Sequence, residues 1–277
     1  MITQEQEQIR SAWDNIARGY DEYVTNTHLL ISNEALRHAG LRSGMRFLDV
    51  AAGSGALSIP AARLGAHVLS VDISPVMLQQ LDQRARKENL NVQTRVMDGH
   101  ALELEDNTFD LAGSQFGVML FPEMPRGLKE MVRVTKPGGT VFLTVFGDPK
   151  KVEFFAFFIE AIRTAVPGFT GPSMDPPPLP FQLQDPEVLR QKMEQAGLRD
   201  VRVESNQEEL KFESGKQMWD WLINSNPIPR QILSELQLTT GQTNQIQQAL
   251  EKMVRERAGA NRTAVLTSPV NIGIGIK

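Results

Sequence analysis

Between positions 46 and 146 the chain alternates short apolar runs with amphipathic stretches, and this rhythm constrains the fold more than any other feature. The runs at 46–50, 67–72, 91–97, 109–114 and 140–146 read as strands. Helical spacing fills the gaps: a stretch ending near Leu64, one from Ser74-Pro75 to Asn89, and one over 126–135. Strands separated by helices run parallel, with both faces of the sheet covered. The fold class expected is therefore α/β, a doubly wound domain over roughly 41–147. Ser74 and Pro75 have the chemistry of an N-cap and a first helical residue. Pro60 is tolerable only in the first turn of its helix.

Outside that block the rhythm changes. Residues 3–40 read as helical, with Ile9, Trp13, Ile16, Ala17 and Tyr20 on one face. A Phe-rich helix is expected over 154–165, a Pro/Gly connector over 167–180, a helix over 185–196 and a strand over 200–205. Residues 214–258 read as helical, and the alternating Ile and Gly of 270–276 as a strand. The organisation expected is a helical cap (1–40), a ligand-binding core (41–150), a connector with helix and strand (151–212), a helical lid (213–265) and a final core strand (266–277).

Composition removes several function classes. The 277-residue chain has no cysteine, which excludes thiolate nucleophiles and Cys-based metal sites. Its four histidines, His28, His38, His67 and His100, show no metal-ligand spacing, so no metal is expected. Lys and Arg number 29 against 33 Asp and Glu, a net charge of −4, without a basic run for nucleic acid. The cluster Arg84, Arg86, Lys87 reads as a solvated helix face. The polar N-terminus and the lack of a ~20-residue apolar run predict a soluble, cytoplasmic protein with no membrane insertion. Nothing in the residues indicates an oligomeric state.

The first strand ends Leu48-Asp49-Val50, and its turn contains Gly53 and Gly55. Such a turn lets backbone approach a ligand, at the carboxyl edge where parallel sheets form their crevice. Asp72 ends the next strand, where a carboxylate can accept from both ribose hydroxyls. A dinucleotide site would need a third glycine where Ser58 stands. Asp49 would also repel a pyrophosphate, and it suits a cationic amino-acid moiety better. NAD is thus the weaker choice.

Leu48-Asp-Val-Ala-Ala-Gly-Ser-Gly55 resembles the first motif of class I S-adenosylmethionine-dependent methyltransferases. The similarity continues through Val71-Asp-Ile-Ser-Pro-Val-Met77, Asp98-Gly-His-Ala-Leu102, Phe109-Asp110 and Arg133-Val-Thr-Lys-Pro-Gly-Gly139. It is nearest to the broad small-molecule group that includes ubiquinone and menaquinone C-methyltransferases. Ala51 and Ala52 depart from the glycine and cysteine common there. The resemblance implies a Rossmann-like, mostly parallel seven-stranded sheet with a helical lid. It also implies S-adenosylmethionine as cofactor and S-adenosylhomocysteine as product.

Residue roles follow from the resemblance. Asp49, Ala51, Gly53 and Gly55 would hold the methionine portion and Asp72 the ribose. Ile73 and Met77 would flank the adenine, with core packing as the plainer alternative. Asp98 would accept from the adenine amino group, beside Gly99 and His100. Gln115 and Phe116 would lie under the methionine, and Tyr20 would close over the cofactor unless it is an ordinary core tyrosine.

Methyl transfer from a sulfonium needs mainly alignment in a dry pocket. A general base is required only for an acceptor that must lose a proton. His28 is the candidate base, set against a purely structural histidine. Tyr23, Met119, Trp219 and Asn224 are candidates for the substrate pocket, and Phe154, Phe155, Phe157 and Phe158 are apolar enough to line it. A small substrate with an apolar part is expected. The alternatives are methylation of a protein side chain and binding of S-adenosylmethionine without turnover.

Overall fold

A computed structural model describes residues 4–277. The first three residues of the expected cap lie outside the described residues. In chain order the elements begin with α1 (Gln4–Gly19), α2 (Leu29–His38), β1 (Arg46–Val50), α3 (Ser58–Arg63), β2 (His67–Asp72), α4 (Pro75–Lys87) and β3 (Val92–Val96). There follow β4 (Phe109–Gln115), α5 (Met124–Val134), β5 (Thr135–Phe146), α6 (Glu153–Ala165), α7 (Pro186–Gln195) and β6 (Arg199–Phe212). The chain closes with α8 (Gly215–Ser225), α9 (Pro227–Glu235), α10 (Thr240–Ala258) and β7 (Ala264–Ile276).

The strands form one seven-stranded sheet in the order β3-β2-β1-β4-β5-β7-β6. The pairs from β3 through β5 are parallel, and β7 runs antiparallel between β5 and β6. This is the doubly wound, mostly parallel architecture that the alternation predicts. The order reverses between β1 and β4, so a crevice opens there at the carboxyl ends of the strands. Phe47, Leu48 and Val50 of β1 are fully buried, as a strand covered on both faces requires. Pro60 falls in the first turn of α3, and Ser74 Oγ accepts from Met77 N–H at 3.0 Å to cap α4.

Several boundaries move. The continuous helix expected over 3–40 breaks after Gly19 into a π-helical turn (Tyr20–Val24) and a 3-10 turn (Thr25–His28) before α2. Thr25 Oγ1 donates to the Tyr20 carbonyl at 3.2 Å, a local bond that competes with regular helix. Strand β6 runs past Ser205 to Phe212, because β7 pairs with it as far as Phe212↔Ala264. That pairing also starts β7 at Ala264, inside the span expected to be lid. The helical stretch 214–258 is three helices. Asn226 and Thr239 each cap a new start, the latter with a full capping box.

The lid helices are anchored on the sheet side by α10, which packs on α6, α8 and β7, while α1 packs on α4 and α8. Arg84 is not simply solvated: its guanidinium pairs with Asp21 and donates to Asn26 Oδ1 at 2.9 Å. It thereby ties the π-helical turn to α4. Among the described residues no helix is long and apolar enough to cross a membrane.

Candidate active site

A cleft of about 810 Å³ opens where β1, β2 and β4 end and α1 crosses above them. Its walls include Tyr20, Ala51, Gly53, Asp72, Ile73, Met77, Asp98, Gly99, His100, Gln115 and Phe116. All are residues singled out from sequence. Leu120 and Phe121, which follow the fourth strand beside Met119 and are expected from the sequence to reach a substrate cavity, line it too, whereas reasoning from sequence did not identify Gln6, Ile9 and Trp13 as site residues. Trp13 carries a signal that could have found them, since it recurs with Ile9 and Tyr20 at near-helical spacing.

The turn after β1 is shaped by backbone. Ala51, Gly53 and Gly55 all have positive φ, at 58°, 54° and 98°. At Gly55 a Cβ would stand 2.2 Å from Leu81 Cδ1, so glycine there keeps the turn seated on α4. Gly53 N–H donates to Asp72 Oδ2 at 2.8 Å, and Ser74 N–H donates to Oδ1 at 2.9 Å. Asp72 is 8% exposed, and burial pushes its carboxyl up to about 6 against these donors. Each oxygen retains a second lone pair for a ligand hydroxyl.

Asp98 follows β3 at the other end of the cleft. Its Oδ1 accepts from the His100 N–H at 2.9 Å and lies 2.7 Å from His100 Nδ1, and Oδ2 accepts from Gln6 Nε2 at 2.5 Å. Burial acts to raise its carboxyl, but the hydrogen bonds from His100 and Gln6 outweigh that and hold it below the ordinary carboxylate range. Tyr20 is half-buried, and its hydroxyl is pushed far up by desolvation first and then by the charges of Asp72, Glu208 and Asp49. It therefore stays a donor. Gln115 Nε2 donates to Ser32 Oγ at 2.8 Å, while Gln115 Oε1 and His100 Nε2 are buried with no protein partner. Two orphaned polar atoms in one cleft mark where a polar ligand fits.

Asp49 and Gly55 stand behind the cleft wall. Asp49 is 1% exposed and accepts from Ser58 Oγ at 2.5 Å, and Ser58 Oγ is 2.7 Å from Ser70 Oγ. Burial pushes its carboxyl up to about 7. Asp49 thus supports the turn from within and does not line the cleft. Among the other expected pocket residues, Met119 and His28 line a smaller inner chamber with Trp221, Ser225 and Asn226. Trp219 and Asn224 do not. Two residues apart on a helix is a rotation of about 200°, so Trp221 faces the chamber and Trp219 the core of the lid. Asn224 instead packs on Gly19, donates to the Asp220 carbonyl at 2.6 Å and accepts from Arg230 at 2.9 Å. Tyr23 lies outside these cavities, and the neighbouring Glu22 carboxylate pushes its hydroxyl up. Phe154 borders the inner chamber and, with Phe155 and Phe158, an outer one, while Phe157 packs in the core.

Residues 48–143 match the family model described as a methyltransferase domain. A demethylmenaquinone methyltransferase of Renibacterium salmoninarum is 32% identical over 177 residues, 62% of this chain and 72% of that protein. The chain belongs to the class I S-adenosylmethionine-dependent methyltransferases. An uncharacterised protein of Mycobacterium tuberculosis is 45% identical to this chain over 103 residues. That match spans 38% of the mycobacterial protein and 37% of the chain. Two solved structures share the methyltransferase fold. YcgJ of Bacillus subtilis superposes with a TM-score of 0.55 at 15% identity, covering 91% of this chain and 98% of the other. A putative methyltransferase of Bacillus halodurans gives 0.58 at 15% identity, covering 89% and 98%.

Proposed function

We propose that this chain transfers a methyl group from S-adenosylmethionine to a small-molecule acceptor. The observation that carries the reading is the continuity of the cleft with apolar chambers beneath the lid helices. Tyr20 and Phe116 belong to both the cleft and the inner chamber. A protein side chain would call for an open groove at that place. The name of the Renibacterium relative, a demethylmenaquinone methyltransferase, points to the same substrate class.

In this reading Asp72 takes the ribose hydroxyls and Asp98 the adenine amino group, with Ile73 and Met77 flanking the ring and Gly99 and His100 beside it. The backbone of Ala51–Gly53 and the free Gln115 Oε1 take the methionine portion, above Phe116. Tyr20, on the turn that follows α1, closes the cofactor in. When bound, S-adenosylmethionine supplies an electrophilic methyl group on a sulfonium. The chain's own task is to hold acceptor and methyl in line and keep water out, and alignment of this kind removes several kcal/mol of barrier. His28 serves as general base. The cytoplasmic setting expected from composition is part of the proposal.

The test is transfer of labelled methyl from S-adenosylmethionine, by the purified protein, into a cell extract separated by size. Label in the small-metabolite fraction is expected. Label in the macromolecular fraction alone would replace the small-molecule acceptor with a protein.

A further inference from the structure

We propose that the acceptor is an uncharged compound with an apolar body and a phenolic or enolic hydroxyl, deprotonated by His28, and that Glu208 positions His28 for that task. The proposal rests on the methyl-transfer reading above and deepens it.

Beyond the cleft the cavities run in series. The inner chamber shares Tyr20 and Phe116 with the cleft, and shares Phe146, Phe154 and Pro180 with an outer chamber. Among the described residues lining these two chambers there is no Asp, Glu, Lys or Arg. An ammonium or carboxylate drawn into the outer chamber would lose water and find no counter-charge among the residues that line it, a cost that selects a neutral ligand part there. The outer chamber is lined mostly by phenylalanines, prolines and isoleucines, so the bulk of that ligand is apolar.

One side chain lining the inner chamber carries an imidazole, whose ring nitrogens can donate or accept a hydrogen bond. His28 is 4% exposed, and its ring centroid lies 4.9 Å from that of Phe116 and 6.4 Å from that of Trp221. Its Nδ1 is 2.6 Å from Oε1 of Glu208, which is itself 4% exposed and reaches across from β6. With the proton on Nδ1 and shared with the carboxylate, Nε2 keeps its lone pair and serves as the accepting nitrogen. A structural histidine satisfied by backbone would need no buried carboxylate. Desolvating Glu208 is costly, and the arrangement gains most when an imidazolium forms beside it.

The chemistry balances on these groups. As the hydroxyl oxygen forms its bond to the methyl carbon, the carbon–sulfur bond breaks with its electron pair passing to sulfur. The hydroxyl proton passes to His28 Nε2, and the imidazolium is held against the Glu208 carboxylate. Attack through that oxygen makes the product a methyl ether, and the sulfur leaves as the neutral thioether of S-adenosylhomocysteine.

The experiment uses the full chain with labelled S-adenosylmethionine and three probes of one shape: naphthol, naphthoate and naphthylmethylammonium. Label is expected on naphthol as its methyl ether and on neither ion. Glu208→Gln should lower kcat by about 10-fold to 100-fold, within the range for an impaired general base, and leave KM and S-adenosylhomocysteine affinity within about twofold. Glu208→Leu serves a second readout. Nitrogen NMR of the His28 ring should show the proton on Nδ1 in the natural protein and a mixture of tautomers in the variant. Methylation of either ion at a rate comparable to naphthol, a ring-carbon product, or failure of naphthol both to bind and to react would overturn the acceptor assignment. A proton on Nε2, or full turnover in Glu208→Gln, would overturn the role of Glu208. Loss of S-adenosylhomocysteine binding by the natural protein would instead strike the methyl-transfer reading itself.

Discussion

Gly53 donates its backbone N–H to Asp72 Oδ2 at 2.8 Å, joining the turn after β1 to the acid that ends β2. The bond makes the first two strand ends one unit. Asp72→Ala would leave two buried backbone donors unpaired and remove the ribose acceptor. Such losses cost about 1–3 kcal/mol each, so S-adenosylhomocysteine affinity should fall by at least about tenfold. Titration calorimetry checks this, and an unchanged affinity would remove Asp72 from the site.

Gln115 separates cofactor binding from stability. Gln115→Leu removes the bond to Ser32 but also removes a buried acceptor without a partner. The two effects on folding oppose one another, because an unpaired buried acceptor is itself costly. Denaturation should therefore change by less than about 1 kcal/mol while S-adenosylhomocysteine affinity drops several-fold. A large loss of stability with intact affinity would make Gln115 a purely structural residue.

Asp49 makes stability depend on pH in a stated direction. Burial raises its carboxyl from 3.8 to about 7, and that of Asp72 to about 6. Between those values the folded chain holds protons that the unfolded chain has released. The contribution to stability is therefore full below the unfolded value and lost as pH rises towards 7, with a limiting slope of about 1.4 kcal/mol per pH unit for each group. Asp49→Asn should flatten that decline between about pH 5 and pH 7.5 in urea denaturation series. An identical slope in the variant would show that Asp49 is ionised throughout.

The lid depends on the close approach of α8 to α10. At Gly215 a Cβ would stand 2.2 Å from the Glu251 backbone nitrogen, and Gly215 N–H donates to Glu251 Oε2 at 2.8 Å. Backbone cannot yield as a flexible side chain does. Gly215→Ala should cost about 1–3 kcal/mol or more, as overpacking generally does, and lower Tm in a thermal melt. An unaltered Tm would mean that the two helices do not meet as described.

The parallel sheet and most of the cleft wall were legible in the sequence because each signal is local. A strand, the turn that ends it and the next helix cap lie within about ten residues, as in Arg46–Val50 followed by Gly53 and Gly55, or His67–Asp72 followed by Ser74 and Pro75. Parallel strands set their carboxyl ends side by side, so residues just past each strand converge without further information. Asp72, Asp98, Gln115 and Phe116 reach one cleft for that reason.

Side-chain direction and long-range pairing were decided only by tertiary structure. Asp49 belongs to the first motif yet turns to Ser58 and Ser70, because the alternation of β1 aims it beneath the turn instead of at the cleft. Trp221 faces the chamber and Trp219 does not, a matter of how α8 is rotated against its neighbours. Glu208 meets His28 across 180 positions only because the long antiparallel register of β7 extends β6 towards the cap segment. No periodicity or motif marks such a pair, since its two halves are brought together by the packing of the whole sheet and lid.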